Sequence, residues 1–168
     1  MRALVAYGSK MGGTRGLAEM VGQALERSLF VVDVCPAAEV GSTRGYDLVV
    51  VGGALYANRW HRDAARFVQR HRGELRDRDV WFFSSGPLDD SATEREIHPV
   101  AQVRRLMAKV GAEGHATFGG RLDENPPGFM ARSMAEKMAG DWRDQAQVDR
   151  WVADMAATRR PKERLPWL

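Results

Sequence analysis

The run Asp47-Leu48-Val49-Val50-Val51-Gly52-Gly53 constrains the fold more than any other stretch of this chain. A strand with one wet face alternates apolar and polar residues. An unbroken Leu/Val run belongs to a strand buried on both faces, as in a parallel sheet covered by helices. Shorter apolar runs have the same character: Ala3-Leu4-Val5-Ala6-Tyr7, Leu29-Phe30-Val31-Val32-Asp33-Val34 and Val80-Trp81-Phe82-Phe83-Ser84. His115-Ala116-Thr117-Phe118-Gly119 reads as a short fifth strand.

Helical spacing separates these runs. Leu17, Met20, Val21, Ala24 and Leu25 mark one helix, and Ala64, Phe67, Val68 and His71 another. Val100, Val103, Met107 and Val110 give an i, i+3, i+7, i+10 stripe, closed by Gly111 and Gly114. Met130, Met134 and Met138 mark a short helix beyond the loop Asn125-Pro126-Pro127-Gly128. The last helix opens on Asp144, with Gln147 three residues on as in a capping box, and presents Val148, Trp151, Val152 and Met155. Five strands alternating with helices need right-handed crossovers. The expectation is an α/β fold, a doubly wound five-stranded parallel sheet of order 2-1-3-4-5.

With 168 residues, 44% hydrophobic and 28% charged, the chain is sized and composed as one soluble domain. No apolar run reaches membrane-spanning length, and the N-terminus runs straight into a strand, so no signal peptide is expected. Cys35, the single cysteine, excludes an internal disulfide and fits a reducing cytoplasm. Standing before Pro36 at a strand end, it reads as a small buried hydrophobe. The net charge of +3 lies wholly in residues 159–168; without them basic and acidic residues balance. A neutral body argues against nucleic acid as partner. Residues 1–158 are therefore read as one domain, and 159–168 as a basic tail.

Ligands of such a sheet bind beyond the carboxyl ends of its strands, where the strand order reverses. Three loops converge there. The first, Ser9-Lys10-Met11-Gly12-Gly13-Thr14, follows a strand and opens a helix, the arrangement that cradles phosphate. An ordinary tight turn is its plain alternative. The second, expected to run as a loop from Ala54 to Trp60, holds Leu55, Tyr56, Ala57 and Asn58 before Arg59. The third offers Ser84, Ser85, Gly86, Pro87 and Leu88, with hydroxyls and backbone donors around Gly86. Phosphate cradle, flat apolar slot and backbone donors together describe a site for flavin mononucleotide (FMN). Rival anion sites fit less well. A P-loop needs Gly-Lys-Ser/Thr where this chain has Gly13-Thr14-Arg15, and the G-x-G-x-x-G of dinucleotide folds is absent. A receiver domain needs an aspartate where Gly52 and Gly53 stand.

The first loop resembles the flavodoxin phosphate loop: a hydroxyl residue, two variable residues, glycine, a variable residue and threonine. Further segments are similar to the menaquinone-dependent protoporphyrinogen IX dehydrogenase branch of flavodoxin-like proteins. They are Gly53-Ala54-Leu55-Tyr56 through Trp60-His61, Phe118-Gly119-Gly120-Arg121-Leu122, and Lys137-Met138-Ala139-Gly140-Asp141 running into Trp151. The resemblance implies FMN as cofactor and the three loops as its cofactor-binding residues; no metal is expected, since no metal-ligand spacing is visible. It implies either an oxidoreductase acting on a small-molecule substrate or quinone, or an electron carrier docking to a redox partner protein. Carriers usually surround the flavin edge with acids. The neutral body, with Arg59, His61 and Arg62 beside the second loop, leans toward the enzyme.

Individual residues carry competing expectations. Lys10 is a phosphate counter-ion or a solvated lysine, and Thr14 a helix cap and phosphate donor at once. Trp60 is expected to stack on the isoalloxazine ring rather than pack over the next helix. His61 is read as an exposed histidine near a helix start. The three methionines are core, or a soft wall over the flavin. Arg121 is a ligand for a carboxylate or anionic flavin, or half of a structural ion pair. The tail, ending Leu165-Pro166-Trp167-Leu168, is either a frayed terminus or a peripheral membrane contact.

Overall fold

Val49, Val50 and Val51 are fully buried in the third strand, as an unbroken apolar run requires. The computed structural model describes residues 1–10, 12–122 and 128–158. In chain order the first elements are β1 (Arg2–Gly8), α1 (Gly13–Arg27), β2 (Val31–Pro36), β3 (Leu48–Tyr56), β4 (Arg59–Trp60), α2 (Arg62–Arg70), α3 (Arg72–Leu75) and β5 (Asp79–Ser85). Then follow α4 (Ser91–Glu94), α5 (Ala101–Val110), β6 (Gly114–Phe118), β7 (Arg121–Leu122), α6 (Phe129–Met138), β8 (Gly140–Asp141) and α7 (Gln145–Thr158).

The five long strands pair in parallel in the order β2-β1-β3-β5-β6, which is the expected 2-1-3-4-5. Alternation along each strand divides the core in two. Leu4, Ala6, Val49, Val51 and Phe82 pack with Phe67 and Val68 of α2 and Val103 and Leu106 of α5. Ala3, Val5, Leu48, Val50 and Phe83 pack on the other face with Leu17 and Val21 of α1 and Val148, Val152 and Met155 of α7. On this second face Trp151 sets its ring edge-on to Trp81, Phe83 and Phe118.

The structure departs from the sequence reading in several places. The second strand starts at Val31, because Leu29 takes a positive φ of 67° and lies 88% exposed. Because the strand runs on to Pro36, Cys35 is inside β2, half-buried, and burial raises its thiol pKa. Residues 88–96, polar and expected to be irregular, contain the one-turn helix α4. Asp144 does cap α7, accepting the Ala146 N–H at 2.9 Å, but Gln147 donates instead to the Ala92 carbonyl at 2.6 Å, so no capping box closes. β7 and β8 form a two-stranded antiparallel ribbon. The Asn125-Pro126-Pro127 part of the expected loop, the side chains of Met130, Met134 and Met138, and the tail 159–168 lie outside the described residues.

His115 on β6 places Nε2 2.9 Å from the Ser84 Oγ of β5, while its buried Nδ1 has no partner among the described residues. Burial pushes its pKa from 6.5 down to about 4. The unfolded chain then binds the extra proton between those two values. Stability is therefore intact above pH 6.5 and lost as the pH falls toward 4, by up to about 3 kcal/mol. Urea unfolding across that range is expected to show this loss in the wild type. A His115→Gln variant should give a flatter profile.

Candidate functional site

The carboxyl end of β1 turns into α1 through Gly12, whose φ of 82° is left-handed. A Cβ there would meet nothing within 4 Å, so glycine is required by conformation rather than by space. The Gly12 N–H donates to Ser9 Oγ at 3.0 Å, and its carbonyl accepts the first helical bond, from the Gly16 N–H at 3.1 Å. Among the described residues no side chain caps α1, and its first turn holds no acid. The leading N–H groups of the helix carry partial positive charge and have no side-chain cap among the described residues. Thr14 is buried at this end, Lys10 is exposed, and Met11 lies outside the described residues.

Beyond the sheet, β3 continues to Tyr56 and folds back as a hairpin, pairing Tyr56 with Arg59 and Leu55 with Trp60. This corrects the expected loop from Ala54 to Trp60. Ala57 and Asn58 form its two-residue turn with φ of 47° and 60°, the left-handed pair that such hairpins favour. Tyr56 is exposed, at 38%. Burial raises its phenol pKa, and the Lys10 backbone acts in the opposite direction.

Trp60 is the clearest correction. It is only 3% exposed, with its ring 5.0 Å from Phe82, and it belongs to the core beside α2. Its indole fills the space over Gly53, where a Cβ would lie 2.6 Å from Nε1. Stacking on a bound ring gives way to packing, because the hairpin turns this side chain back onto the sheet. His61 likewise becomes part of the framework: its side chain is 17% exposed and its Nδ1 accepts the Asp63 N–H at 3.2 Å, capping α2.

The third loop divides by strand alternation. Ser85, Gly86 and Leu88 line a cavity, whereas Ser84 points to His115 on the opposite face of the sheet. The Gly86 N–H is already bonded to the Phe118 carbonyl at 3.2 Å, and Pro87 accepts from Gly120 at 2.7 Å. The expected donors around Gly86 therefore shrink.

The cavity, about 130 Å³, is bounded by Ser9, Gly13 and Thr14, by Ala54, Leu55 and Tyr56, by the third loop, and by Gly120, Arg121 and Leu122. Gly12, Ala57, Asn58, Trp60, Ser84 and Pro87 are not among the residues that line it. The fourth wall comes from the β7–β8 ribbon, which the sequence reading lacked. Its signal was the Gly119-Gly120-Arg121 segment. A Cβ on Gly13 would come within 3.2 Å of the Arg121 carbonyl, and one on Gly16 would strike the Arg143 guanidinium. Arg143 grips Asp141 through Nε and Nη2 at 2.8 and 2.6 Å and holds that carboxyl below its usual range, with Arg121 adding to the effect. Two arginines and one aspartate thus flank the uncapped start of α1. An anion is what this arrangement can hold.

A family model described as a flavodoxin domain matches residues 4–148. Oxidised flavodoxin 2 from Bacillus cereus superposes with a TM-score of 0.61 at 15% identity, covering 95% of this chain and 100% of that one. A flavodoxin from Streptococcus pneumonia TIGR4 gives 0.61 at 16%, again over 95% and 100% of the two chains. Rubredoxin oxygen:oxidoreductase from Desulfovibrio gigas gives 0.56 at 13%, over 94% of this chain and 37% of that one.

Trp60→Ala is expected to destabilise the fold by about 3–5 kcal/mol, the usual cost of emptying a buried aromatic site. Chemical denaturation would measure it. A loss below about 1 kcal/mol would mean that the indole does not fill the space over Gly53.

Proposed function

This chain belongs to the flavodoxin domain family, whose members bind FMN, and from that membership we propose that it is an electron-transfer flavoprotein holding FMN by its phosphate at the start of α1. The observation that carries the reading is the uncapped helix N-terminus behind a left-handed Gly12, with no acid in its first turn. Backbone N–H groups of the turn and the hydroxyls of Ser9 and Thr14 would take the phosphate. Arg121 and Arg143 would add positive charge without replacing those donors. A cavity of about 130 Å³ suits a phosphate and the polyol chain beside it. Tyr56 and Leu88, at its edge, would receive the flat ring. When bound, FMN supplies the redox chemistry, and the protein supplies position, polarity and exclusion of water.

A second, finer reading is oxidation of a small substrate with a quinone as acceptor, in the manner of the protoporphyrinogen-oxidising branch. Arg121 favours it, because it is among the residues that line the cavity and arginine is the side chain suited to a substrate carboxylate. Turnover of protoporphyrinogen with a menaquinone analogue would support this reading over the carrier. Reduction and reoxidation by partner proteins alone would favour the carrier.

Purified protein supplied with excess FMN should develop a flavin absorbance spectrum and quench flavin fluorescence. Gly12→Val forces a branched side chain into the left-handed region, at a cost of about 1–2 kcal/mol. It should weaken FMN binding at least tenfold while circular dichroism stays native. A wild-type protein that takes up no flavin overturns the proposal.

A further inference from the structure

The solvent face that descends from the cavity mouth along α2 is built of arginine. Between Arg59 and Arg78 the chain holds seven arginines, no lysine, and three acidic residues. Arg59, Arg62, Arg66 and Arg70 are all exposed. Arg62, Arg66 and Arg70 stand at i, i+4 and i+8 on α2, a row about 12 Å long. Arg59 continues the row upward, directly opposite Tyr56 in the hairpin. Glu74 is engaged by the Thr43 N–H and hydroxyl at 2.7 and 2.9 Å, and Asp63 lies 3.8 Å from Arg62. Arg59, Arg66 and Arg70 have no ion pair among the described residues.

A merely solvated helix face interleaves its charges, as Arg15 and Glu19 do on α1. Like charges at i, i+4 repel, and here the repulsion repeats along the whole helix. Up to residue 158 the chain has as many basic as acidic residues, so this local excess is a charge separation rather than a net charge. The fields of such patches steer association.

We propose that the Arg59–Arg62–Arg66–Arg70 face docks the acidic surface of an electron-transfer protein, bringing that protein's redox centre to the cavity mouth at Tyr56. The inference rests on the flavoprotein reading above. The partner, oxidised by one electron, reduces the bound cofactor by one, or the reverse. Carboxylates suit the planar guanidinium fork, which pairs with them through two parallel hydrogen bonds. A lipid surface suits this face less well: the apolar residues of α2 (Ala64, Ala65, Phe67 and Val68) are all buried beneath it, so it has no apolar side chain to insert.

The test uses the full chain, flavin-loaded and flavin-free, with oxidised plant-type [2Fe–2S] ferredoxin as the acidic probe and cytochrome c as a basic one. Calorimetry and NMR titration read binding, and stopped-flow reads electron transfer from reduced ferredoxin to the flavin-loaded form. Ferredoxin binding by the wild type should weaken at least tenfold between about 20 and 300 mM salt, as the charges are screened. The triple variant R62E/R66E/R70E should lose at least tenfold at low salt and gain affinity for cytochrome c. Arg150→Glu, on the opposite helix layer, should change neither. Equal ferredoxin binding by wild type and triple variant overturns the proposal, as does tighter binding of anionic phosphatidylserine vesicles or duplex DNA through the same arginines. Ferredoxin binding by a protein that takes up no FMN would sink the flavoprotein reading and leave the docking face standing.

Discussion

Everything at the carboxyl end of the sheet depends on how closely other groups approach the two glycines inside β3, Gly52 and Gly53. The Phe83 ring occupies one face where a Cβ of Gly52 would stand, and the Trp60 indole occupies the other over Gly53. The two aromatics clamp the strand end from opposite sides. Held that way, β3 runs past the sheet to Tyr56 and must turn back, and the turn sets Tyr56 at the cavity while burying Trp60. Gly8 of β1, in register with Gly53, serves the same end: the His61 ring lies where its Cβ would go, 2.8 Å away at Nδ1. Small residues at three neighbouring positions thus let hairpin and α2 settle directly on the strand ends.

The cavity that results is a meeting of backbones more than of side chains. Its floor is an uncapped helix start reached through a left-handed glycine. Its walls are a hairpin, a loop tied to Phe118 and Gly120 by backbone bonds, and a short ribbon. Charge is supplied from outside the first loop, by Arg121 and Arg143 around Asp141, and further out by the arginine row of α2. The proposed anion at the centre and the proposed acidic partner at the rim would be attracted by the same sign of potential.

The sheet was legible because its signals are long and repeated. A Leu/Val run and four neighbours with helical spacing between them leave few topologies, and the strand order follows from crossover handedness. The turn that joins β1 to α1 was legible as well, since strand, glycine and helix stand in sequence. The hairpin was not. Ala57-Asn58 lacks the glycine that usually marks a two-residue left-handed turn, so the stretch read as a loop and Trp60 as an exposed aromatic. Strand alternation already told Ser84 from Ser85, yet which face held the cavity was fixed only by packing. β7 and β8 are two residues each, too short for any periodicity, and their pairing across α6 is a tertiary fact. Arg143 reaches α1 by the same long-range route.

The start of α1 is proposed to be a phosphate site. Calorimetric titration of flavin-free protein with FMN and with riboflavin, which lacks only the phosphate, tests it most directly. FMN is predicted to bind at least a hundredfold more tightly, about 2.7 kcal/mol or more, the scale of several charge-assisted hydrogen bonds. Equal affinities for the two flavins would contradict the account and move the anchoring of any ligand away from Gly12.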